Sequence, residues 1–321
     1  MLEEAPFHAA LAEAPPETRA VWARTDDGKR IRLAIAEAES PEGTVLLFPG
    51  RTEYVEKYGR TAADLTAAGF SVMAVDWRGQ GLSDRLLPDA RTGHVDLFAD
   101  YQRDVAAAVA AAEELGLPRP WHLLAHSMGG CIGLRALTEG LEVASAVFTG
   151  PMWGISISTA MRPAAWALSW SGARFGLGHL TAPGTKPESY VVTESFESNL
   201  LTRDTEMYAY MRRQVTEVPE LALGGPSLRW LNEALVECRE LAQLPAPDLP
   251  CLTFLGTNER IVDTARIETR MARWPGGRLV HVDGGEHEVL MDDPKTRAEV
   301  LSEIVAHFRG TQHRDEEAAR A

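Results

Sequence analysis

The chain has 321 residues, 45% of them hydrophobic, which is enough for one large α/β domain with an inserted subdomain. Its formal net charge of -14 disfavours nucleic acid and strongly anionic membranes as partners on electrostatic grounds alone. Three scattered cysteines (Cys131, Cys238, Cys251) form no C-x-x-C or Cys/His metal spacing, so we expect free thiols in a reducing cytoplasm.

The chain begins with an acidic, proline-rich segment that lacks a basic start and an apolar run, so we expect no signal peptide. No window approaches the ~20 apolar residues of a membrane span. The first predicted elements are strands at 19–25 and 30–36, joined at Asp26-Asp27-Gly28. This turn sequence is typical of a hairpin and predicts an antiparallel start to the sheet.

Strands and helices alternate from there to residue 150. Strands are predicted at 44–48, 70–75, 121–124 and 144–148, and helices at 54–68, 94–115 and 128–137. Continuous apolar strands joined by helices favour an α/β fold with a mostly parallel, doubly wound sheet. In such sheets the active crevice lies outside the carboxyl ends of the strands. We assign residues 1–150 to the first part of this core.

The alternation stops between residues 151 and 241, where helical patterns occur at 202–217 and 227–241. This segment holds four of the eight tryptophans and has eight Lys/Arg against ten Asp/Glu, a net charge of -2. We interpret it as an inserted helical lid with a near-neutral, aromatic surface that admits apolar substrates. The alternative is a small subdomain that uses its tryptophans to build its own core.

The α/β pattern returns in residues 242–321, which we assign to the second part of the core. Strands are predicted at 250–256 and 277–282, and helices at 263–273 and 294–308. The last predicted strand is followed by a loop that contains Gly284-Gly285 and His287. This loop therefore leaves the carboxyl end of its strand.

Ser127 stands at a sharp turn between a buried strand and a helix. Ala125 and Gly129, two residues before and after it, are small enough to let the flanking backbone pass, as in the G-x-S-x-G nucleophile elbow. The alternative is an ordinary serine that caps a helix. A nucleophilic serine needs a base. Of the nine histidines, His287 has the most suitable position, because its loop leaves the same edge of the sheet.

Four segments followed by His287 together resemble the α/β-hydrolases. They are 49–54 (PGRTEY), 76–83 (DWRGQGLS), 126–130 (HSMGG) and 256–263 (GTNERIVD). The set most resembles the bacterial lysophospholipase and monoacylglycerol lipase branch, over about residues 20–308 of this chain. Pro49-Gly50 stands where the family usually has His-Gly, and Ala125 replaces the first glycine of the elbow.

The resemblance implies a catalytic triad of Ser127, an acid and His287. The acid follows the penultimate strand, where Glu259 and Asp263 both qualify. We favour Glu259, because it is nearer the strand end and because Asp263 can cap the next helix. The backbone N–H groups of Arg51 and Met128 would form the oxyanion hole. No metal or organic cofactor is implied.

The implied activity is hydrolysis of carboxylic esters with one acyl chain, such as lysophospholipid or monoacylglycerol, through an acyl-serine. A peptidase, thioesterase or acyltransferase on the same triad, or a non-catalytic binding protein on this fold, are the alternatives. We expect the Arg51 side chain to face solvent, with a headgroup phosphate as its alternative partner. We also expect a cytoplasmic location, with membrane contact limited to the lid at the periphery of the inner membrane.

Overall fold

The computed structural model describes residues 2–320, with side chains described for residues 2–310. Its strands are β1 (Glu3–Ala5), β2 (Arg19–Arg24), β3 (Arg30–Ala36), β4 (Gly43–Phe48), β5 (Phe70–Asp76), β6 (Trp121–His126), β7 (Ser145–Thr149), β8 (Cys251–Gly256) and β9 (Arg278–Val282). Its helices are α1 (Ala9–Ala12), α2 (Gly59–Ala67), α3 (Asp100–Glu114), α4 (Ser127–Thr138), α5 (Arg162–Arg174), α6 (Tyr190–Thr193), α7 (Thr205–Glu217), α8 (Leu228–Leu241), α9 (Thr264–Met271) and α10 (Pro294–Arg320). Within these residues, no helix is both long and apolar enough to cross a membrane.

The strands form one sheet in the order β1-β2-β3-β5-β4-β6-β7-β8-β9. The three pairings from β1 to β5 are antiparallel, and the other five are parallel. The predicted hairpin and the mostly parallel sheet are therefore confirmed. Strand β1 was not predicted, because three residues are too few to show a pattern of alternation.

Both faces of the sheet are buried. Successive residues of β4 belong in turn to two separate hydrophobic clusters, with Leu46 and Phe48 in one and Val45 and Leu47 in the other. Because side chains alternate across a strand, each cluster covers one face. Burial on both faces explains why the central strands are continuous apolar runs. The parallel pairing of β4 to β9 brings the carboxyl ends of these strands to one edge of the sheet.

The helix predicted from residue 94 begins only at Asp100, so the first part of that prediction is wrong. Gly93 pairs instead with Pro226, and Nδ1 of His94 lies 2.7 Å from Oγ of Ser227. These contacts bind the segment to the insertion between β7 and β8. The Asp100 carboxylate then accepts the Leu97 N–H at 3.2 Å, where the helix starts. Long-range contacts therefore override a local helical pattern.

The segment between β7 and β8 contains α5, α6, α7 and α8. The two helices expected there at 202–217 and 227–241 correspond to α7 and α8. Helix α8 packs against both α5 and α4, so it links the insertion to the helix that follows β6. Trp153, at the start of the insertion, is buried with its ring centroid 5.1 Å from that of Phe148. This tryptophan belongs to the main core.

Candidate active site

Ser127 occupies a strained backbone position at the carboxyl end of β6. It is the first residue of α4, and its φ of +50° lies in the left-handed region that non-glycine residues rarely adopt. Gly129 makes this turn possible, because a Cβ there would lie 2.0 Å from the Phe48 carbonyl oxygen. A glycine is therefore required at position 129 by the close passage of the end of β4.

His287 is hydrogen-bonded to Glu259, with 2.6 Å between Nδ1 and Oε2. The other oxygen of this carboxylate accepts the N–H groups of Ile261 at 2.6 Å and Val262 at 3.1 Å. Burial alone would raise the pKa of Glu259, but the charge and hydrogen bond of His287 and the two N–H groups outweigh it, so its pKa is lowered. The carboxylate is thus ionised at neutral pH and holds the imidazole in one orientation.

Asp263, the alternative acid, lies away from this pair. It occupies the position before α9, as expected, but its side chain makes no capping hydrogen bond. Its carboxylate instead lies 3.4 Å from Arg162 and 3.7 Å from Arg266. The structure therefore brings Glu259, and not Asp263, to His287.

Ser127 and His287 line the same cavity of about 600 Å³. Among the described side chains, none hydrogen-bonds to the Ser127 hydroxyl, and Ser127 lines the cavity. Gly150, with a φ of +48°, makes room for the imidazole, because a Cβ there would lie 3.1 Å from Nδ1 of His287. The two residues predicted to act as nucleophile and base thus face one shared space.

One of the two candidate oxyanion donors, the backbone N–H of Arg51, lies in the loop after β4. Neither this N–H nor that of Met128 donates to an acceptor among the described residues. Trp77 and Gln80 hold the loop, because their side chains donate to the carbonyls of Pro49 at 2.9 Å and Gly50 at 2.7 Å. Side chains of the D-W-R-G-Q segment thus support this loop, in which Pro49 stands where the family usually has histidine.

The Arg51 side chain does not extend into solvent, so the favoured expectation for it is wrong. It is partly buried and lines the cavity, with Nη1 donating to the Gly224 carbonyl at 2.8 Å. Its guanidinium carbon lies 5.4 Å from the centre of the Trp230 ring. The side chain turns inward because the insertion offers it both a carbonyl and an aromatic face.

A buried ionic cluster lies beside the two candidate catalytic residues and was not anticipated from the sequence. It consists of Glu53, Lys57, His126 and Glu288. The Lys57 ammonium contacts the Glu53 carboxylate and lies 2.6 Å from Oε1 of Glu288. Nε2 of His126 lies 3.4 Å from Glu288 and 3.6 Å from Glu53. Two acidic and two basic groups thus meet in the interior.

The charges of this cluster stabilise one another. Burial opposes the protonated form of His126, but the carboxylates of Glu288 and Glu53 outweigh it and raise the pKa of His126 above 6.5. Burial would likewise raise the pKa of Glu288, but His126 and Lys57 hold it well below its usual range. With His126 protonated, the cluster is neutral overall.

Three members of the cluster, Glu53, His126 and Glu288, have donor atoms within 4.8 Å of one another, a spacing that could hold a metal ion. Both carboxylates already have a cation, however, because the Lys57 ammonium contacts each of them. A metal ion would have to compete with this ammonium. The arrangement is therefore that of an internal salt-bridge network.

The remaining cavity wall is mainly apolar. Aliphatic side chains from the insertion and the loop after β8 supply most of it, including Ile155, Ile157, Leu168, Val191, Leu200, Val215 and Ile261. Of the four tryptophans in the insertion, Trp230 lines the cavity, whereas Trp170 is 57% exposed on the outside. The aromatic members of the wall are Trp230, Tyr54 and Tyr190, so the aromatic contribution is smaller than the four tryptophans of this segment suggested. The cavity wall is mainly aliphatic and also includes polar and charged side chains, a combination that suits an acyl chain joined to a polar head.

Comparison with known proteins identifies related sequences and folds. Residues 39–294 match the family model described as "Serine aminopeptidase, S33". Lysophospholipase L2 of Escherichia coli (strain K12) is 33% identical, over 87% of this chain and 84% of the relative. Probable lysophospholipase L2 of Haemophilus influenzae is 31% identical, over 97% and 100%. A soluble variant of the Saccharomyces cerevisiae monoglyceride lipase has a TM-score of 0.71 at 18% identity, over 90% of this chain and 94% of that one.

Proposed function

Since the chain belongs to the Serine aminopeptidase, S33 family of α/β-hydrolases, we infer that it is a serine carboxylic-ester hydrolase acting on lipid-like esters with one acyl chain. Two bacterial relatives described as lysophospholipases, at 31% and 33% identity, support this substrate class. The aliphatic cavity of about 600 Å³ supports it independently, because it has room for an extended acyl chain.

We propose that Ser127 and His287 carry out the chemistry. Oγ of Ser127 attacks the ester carbonyl carbon while Nε2 of His287 takes the hydroxyl proton. The intermediate collapses by breaking the bond to the alcohol oxygen, which leaves with the proton from His287. The acyl-serine is then attacked by water, whose proton passes to His287, and Ser127 is restored as the free acid departs.

Glu259 and two backbone N–H groups would assist these steps. The carboxylate accepts the Nδ1 proton of His287 at 2.6 Å, which leaves Nε2 free to accept the serine proton and stabilises the imidazolium. The unpaired N–H groups of Arg51 and Met128 would donate to the oxygen as its negative charge develops. Removal of one such donor typically lowers turnover by about 10²–10³.

The observation that carries this proposal is a His287 imidazole that is hydrogen-bonded to Glu259 and lines the same cavity as Ser127, whose φ is +50°. The test is kcat/KM for hydrolysis of a medium-chain monoacylglycerol and a lysophospholipid. We expect Ser127→Ala to lower both values by several orders of magnitude. Ser198→Ala, at an exposed serine of the insertion, is the matched control and should leave both within about twofold. Retained turnover in Ser127→Ala would overturn the assignment.

A peptidase on the same triad is the alternative that the family description raises. An aminopeptidase needs a free carboxylate near the scissile bond to hold the substrate's α-ammonium group. Among the described residues, the acidic groups that line the cavity are Glu53 and Glu288, and Lys57 and His126 already neutralise both. This pairing favours esters over peptides. Rates on an aminoacyl-arylamide and an acyl-CoA would separate the peptidase, thioesterase and acyltransferase activities from ester hydrolysis.

We further propose that residues 151–241 act as a lid on a core formed by 1–150 and 242–321, and that the lid contacts a membrane surface peripherally. Six of the eight large hydrophobic side chains exposed among the described residues lie between 161 and 180, and we call them the apolar patch. They are Met161, Leu168, Trp170, Phe175, Leu177 and Leu180. Exposed large hydrophobic side chains concentrated in one segment are typical of an interaction site.

The charge around the patch supports an anionic lipid surface as its partner. Residues 143–187 contain no Asp or Glu, whereas they include Arg162, Arg174 and Lys186. The patch therefore lies in a locally basic stretch of a chain whose net charge is -14. Such a combination suits the anionic inner leaflet of a membrane. We propose a cytoplasmic protein that visits this surface, in agreement with three buried, free cysteines.

A further inference from the structure

The cavity contains a basic side chain that no carboxylate neutralises. Arg51 donates to the Gly224 carbonyl, but among residues 2–310 it forms no salt bridge. The other lysine or arginine lining the cavity, Lys57, is held between Glu53 and Glu288. Burial without a counter-ion lowers the pKa of Arg51 to about 10. A partly buried cation without an anionic partner loses hydration that nothing replaces, and a bound anion would relieve that cost.

The position of the guanidinium is fixed while most of its donors remain unused. Nη1 is bound to Gly224, and the Trp230 ring lies 5.4 Å below the guanidinium carbon. Gly93 leaves room for it, since a Cβ there would lie 3.1 Å from Nη1. Nε and Nη2 have no partner among the described residues, yet neither is sealed from the cavity. Two parallel N–H donors on a held guanidinium are suited to a phosphate or carboxylate.

Two other partly buried arginines also lack a carboxylate partner but differ from Arg51. Arg85 gives its donors to the carbonyls of Gly79 and Gly81 at 2.8 Å and of Glu220 at 2.7 Å. Arg270 donates to the Leu241 carbonyl and lies against Trp153. Neither lines the cavity, and both donate to backbone carbonyls of the folded chain. Arg51, by contrast, lines the cavity, so a ligand there can reach its unused N–H donors.

The length of the Arg51 side chain matches that of a glycerol-linked phosphate. The backbone N–H of Arg51 is the proposed donor to the ester oxygen, and the same residue carries the guanidinium. The number of bonds from the Arg51 backbone nitrogen to its Cζ equals the number from the ester carbonyl carbon to phosphorus in a 1-acyl-glycerol-3-phosphate. A carbonyl held at the N–H groups of Arg51 and Met128 therefore brings the phosphate within reach of the Arg51 side chain.

We propose that the Arg51 guanidinium binds the headgroup phosphate of a single-chain glycerophospholipid, with its ester carbonyl at Ser127. This inference rests on the proposed ester hydrolase function and specifies its substrate class. The enzyme then prefers phosphate-bearing monoacyl lipids over uncharged monoacylglycerols. The side chain of Arg51 binds the phosphate, and the backbone N–H of the same residue stabilises the oxyanion.

The first test measures binding without turnover, in a Ser127→Ala background. The ligands are 1-O-alkyl-glycerol-3-phosphocholine and 1-O-alkylglycerol of equal chain length, both below their micelle concentrations. We expect the phosphate-bearing ether to bind more tightly, and Arg51→Gln to reduce that preference by about 10- to 100-fold. Arg91→Gln removes an exposed arginine whose carbonyl accepts the Gly224 N–H, and should leave the preference unchanged. An unchanged preference in Arg51→Gln would overturn the proposal.

The second test compares kcat/KM for the corresponding esters in enzyme with Ser127 intact. If neither ester is hydrolysed, the proposed function fails, and the binding result still decides the phosphate assignment. Should Arg51→Gln lower both values equally, the residue is structural and the assignment is overturned. Arg51→Lys keeps the positive charge but loses the two parallel N–H donors of the guanidinium. If Arg51→Gln is poorly folded, an intermediate preference for the phosphate-bearing lipid in Arg51→Lys supports the proposal. Inorganic phosphate that competes as strongly as the lipid would reveal a free-phosphate site and overturn the headgroup assignment.

Discussion

His126 and Glu288 lie 3.4 Å apart, Nε2 to Oε2, and each is the chain neighbour of a proposed catalytic residue. His126 precedes Ser127 at the end of β6, and Glu288 follows His287 in the loop after β9. Nδ1 of His126 is also 2.9 Å from the Thr149 carbonyl, which joins it to β7. This buried pair therefore holds the backbone of the nucleophile against that of the base, although the two are distant in sequence.

The Lys57 ammonium is the second cation of this cluster, and we expect its removal to destabilise the protein. Lys57→Met leaves Glu53 and Glu288 buried with His126 as their remaining counter-ion, and it should lower the free energy of unfolding by about 3–5 kcal/mol. The control is Lys295→Met, whose side chain is 86% exposed and should change stability by less than about 0.5 kcal/mol. Urea unfolding at neutral pH measures both. Equal effects for the two variants would contradict the account.

Protonation of His126 should make the stability depend on pH. Because its pKa is raised above 6.5 in the folded protein, the folded state holds this proton more tightly than the unfolded state. The resulting stabilisation is fully present below pH 6.5 and is lost as the pH rises through the folded pKa. We expect the wild-type free energy of unfolding to fall over this range relative to His126→Asn. Urea unfolding at a series of pH values tests this, and parallel curves for the two proteins would refute it.

The choice of acid predicts a clear difference between two variants. Glu259→Gln keeps the shape of the side chain but not the charge that holds His287, and should lower kcat by about 10⁴. Asp263→Asn alters a carboxylate whose partners are Arg162 and Arg266, and should change kcat by no more than a few-fold. The measurement is hydrolysis of a medium-chain ester with folding checked by circular dichroism. A larger loss in Asp263→Asn than in Glu259→Gln would show that the wrong acid was chosen.

The apolar patch should bind anionic vesicles. Phe175 is 72% exposed, and Phe175→Ser should weaken partitioning into phosphatidylglycerol vesicles by about 10-fold or more, since burial of such a side chain contributes about 1.5–3 kcal/mol. Leu97→Ser changes a hydrophobic side chain outside the patch that is 53% exposed, and should leave partitioning unaltered. Vesicle flotation measures the bound fraction. The same loss in both variants, or equal wild-type binding to phosphatidylcholine vesicles, would argue against this surface.

The sequence was sufficient where local chemistry dictates the structure. The turn at Ser127 requires small neighbours, and the hairpin requires Gly28 at a φ of +83°. Both requirements are visible in the residues themselves. The loop position of His287 followed from counting strands, because parallel strands bring their carboxyl ends to one edge. The hydrogen bond between His287 and Glu259, which follow two neighbouring strands, agrees with this reasoning.

The contacts that the sequence did not reveal join residues far apart in the chain. Lys57 meets Glu288 across 231 positions, and Arg51 reaches Gly224 across 173. A lysine beside a glutamate in a helical pattern is indistinguishable from a solvated pair until the fold buries it. His126 and Glu288 are the sequence neighbours of the two predicted catalytic residues, and this position could have suggested that they act near the site. No periodicity, however, shows that they face each other.

The most direct test of the central claim is covalent labelling of the folded protein with a fluorophosphonate, followed by mass mapping of the modified peptide. We predict stoichiometric labelling at Ser127, strong reduction of the labelling rate in His287→Ala, and competition by a lysophospholipid. Labelling at another serine, or an unlabelled Ser127 in protein that unfolds cooperatively, would contradict the account.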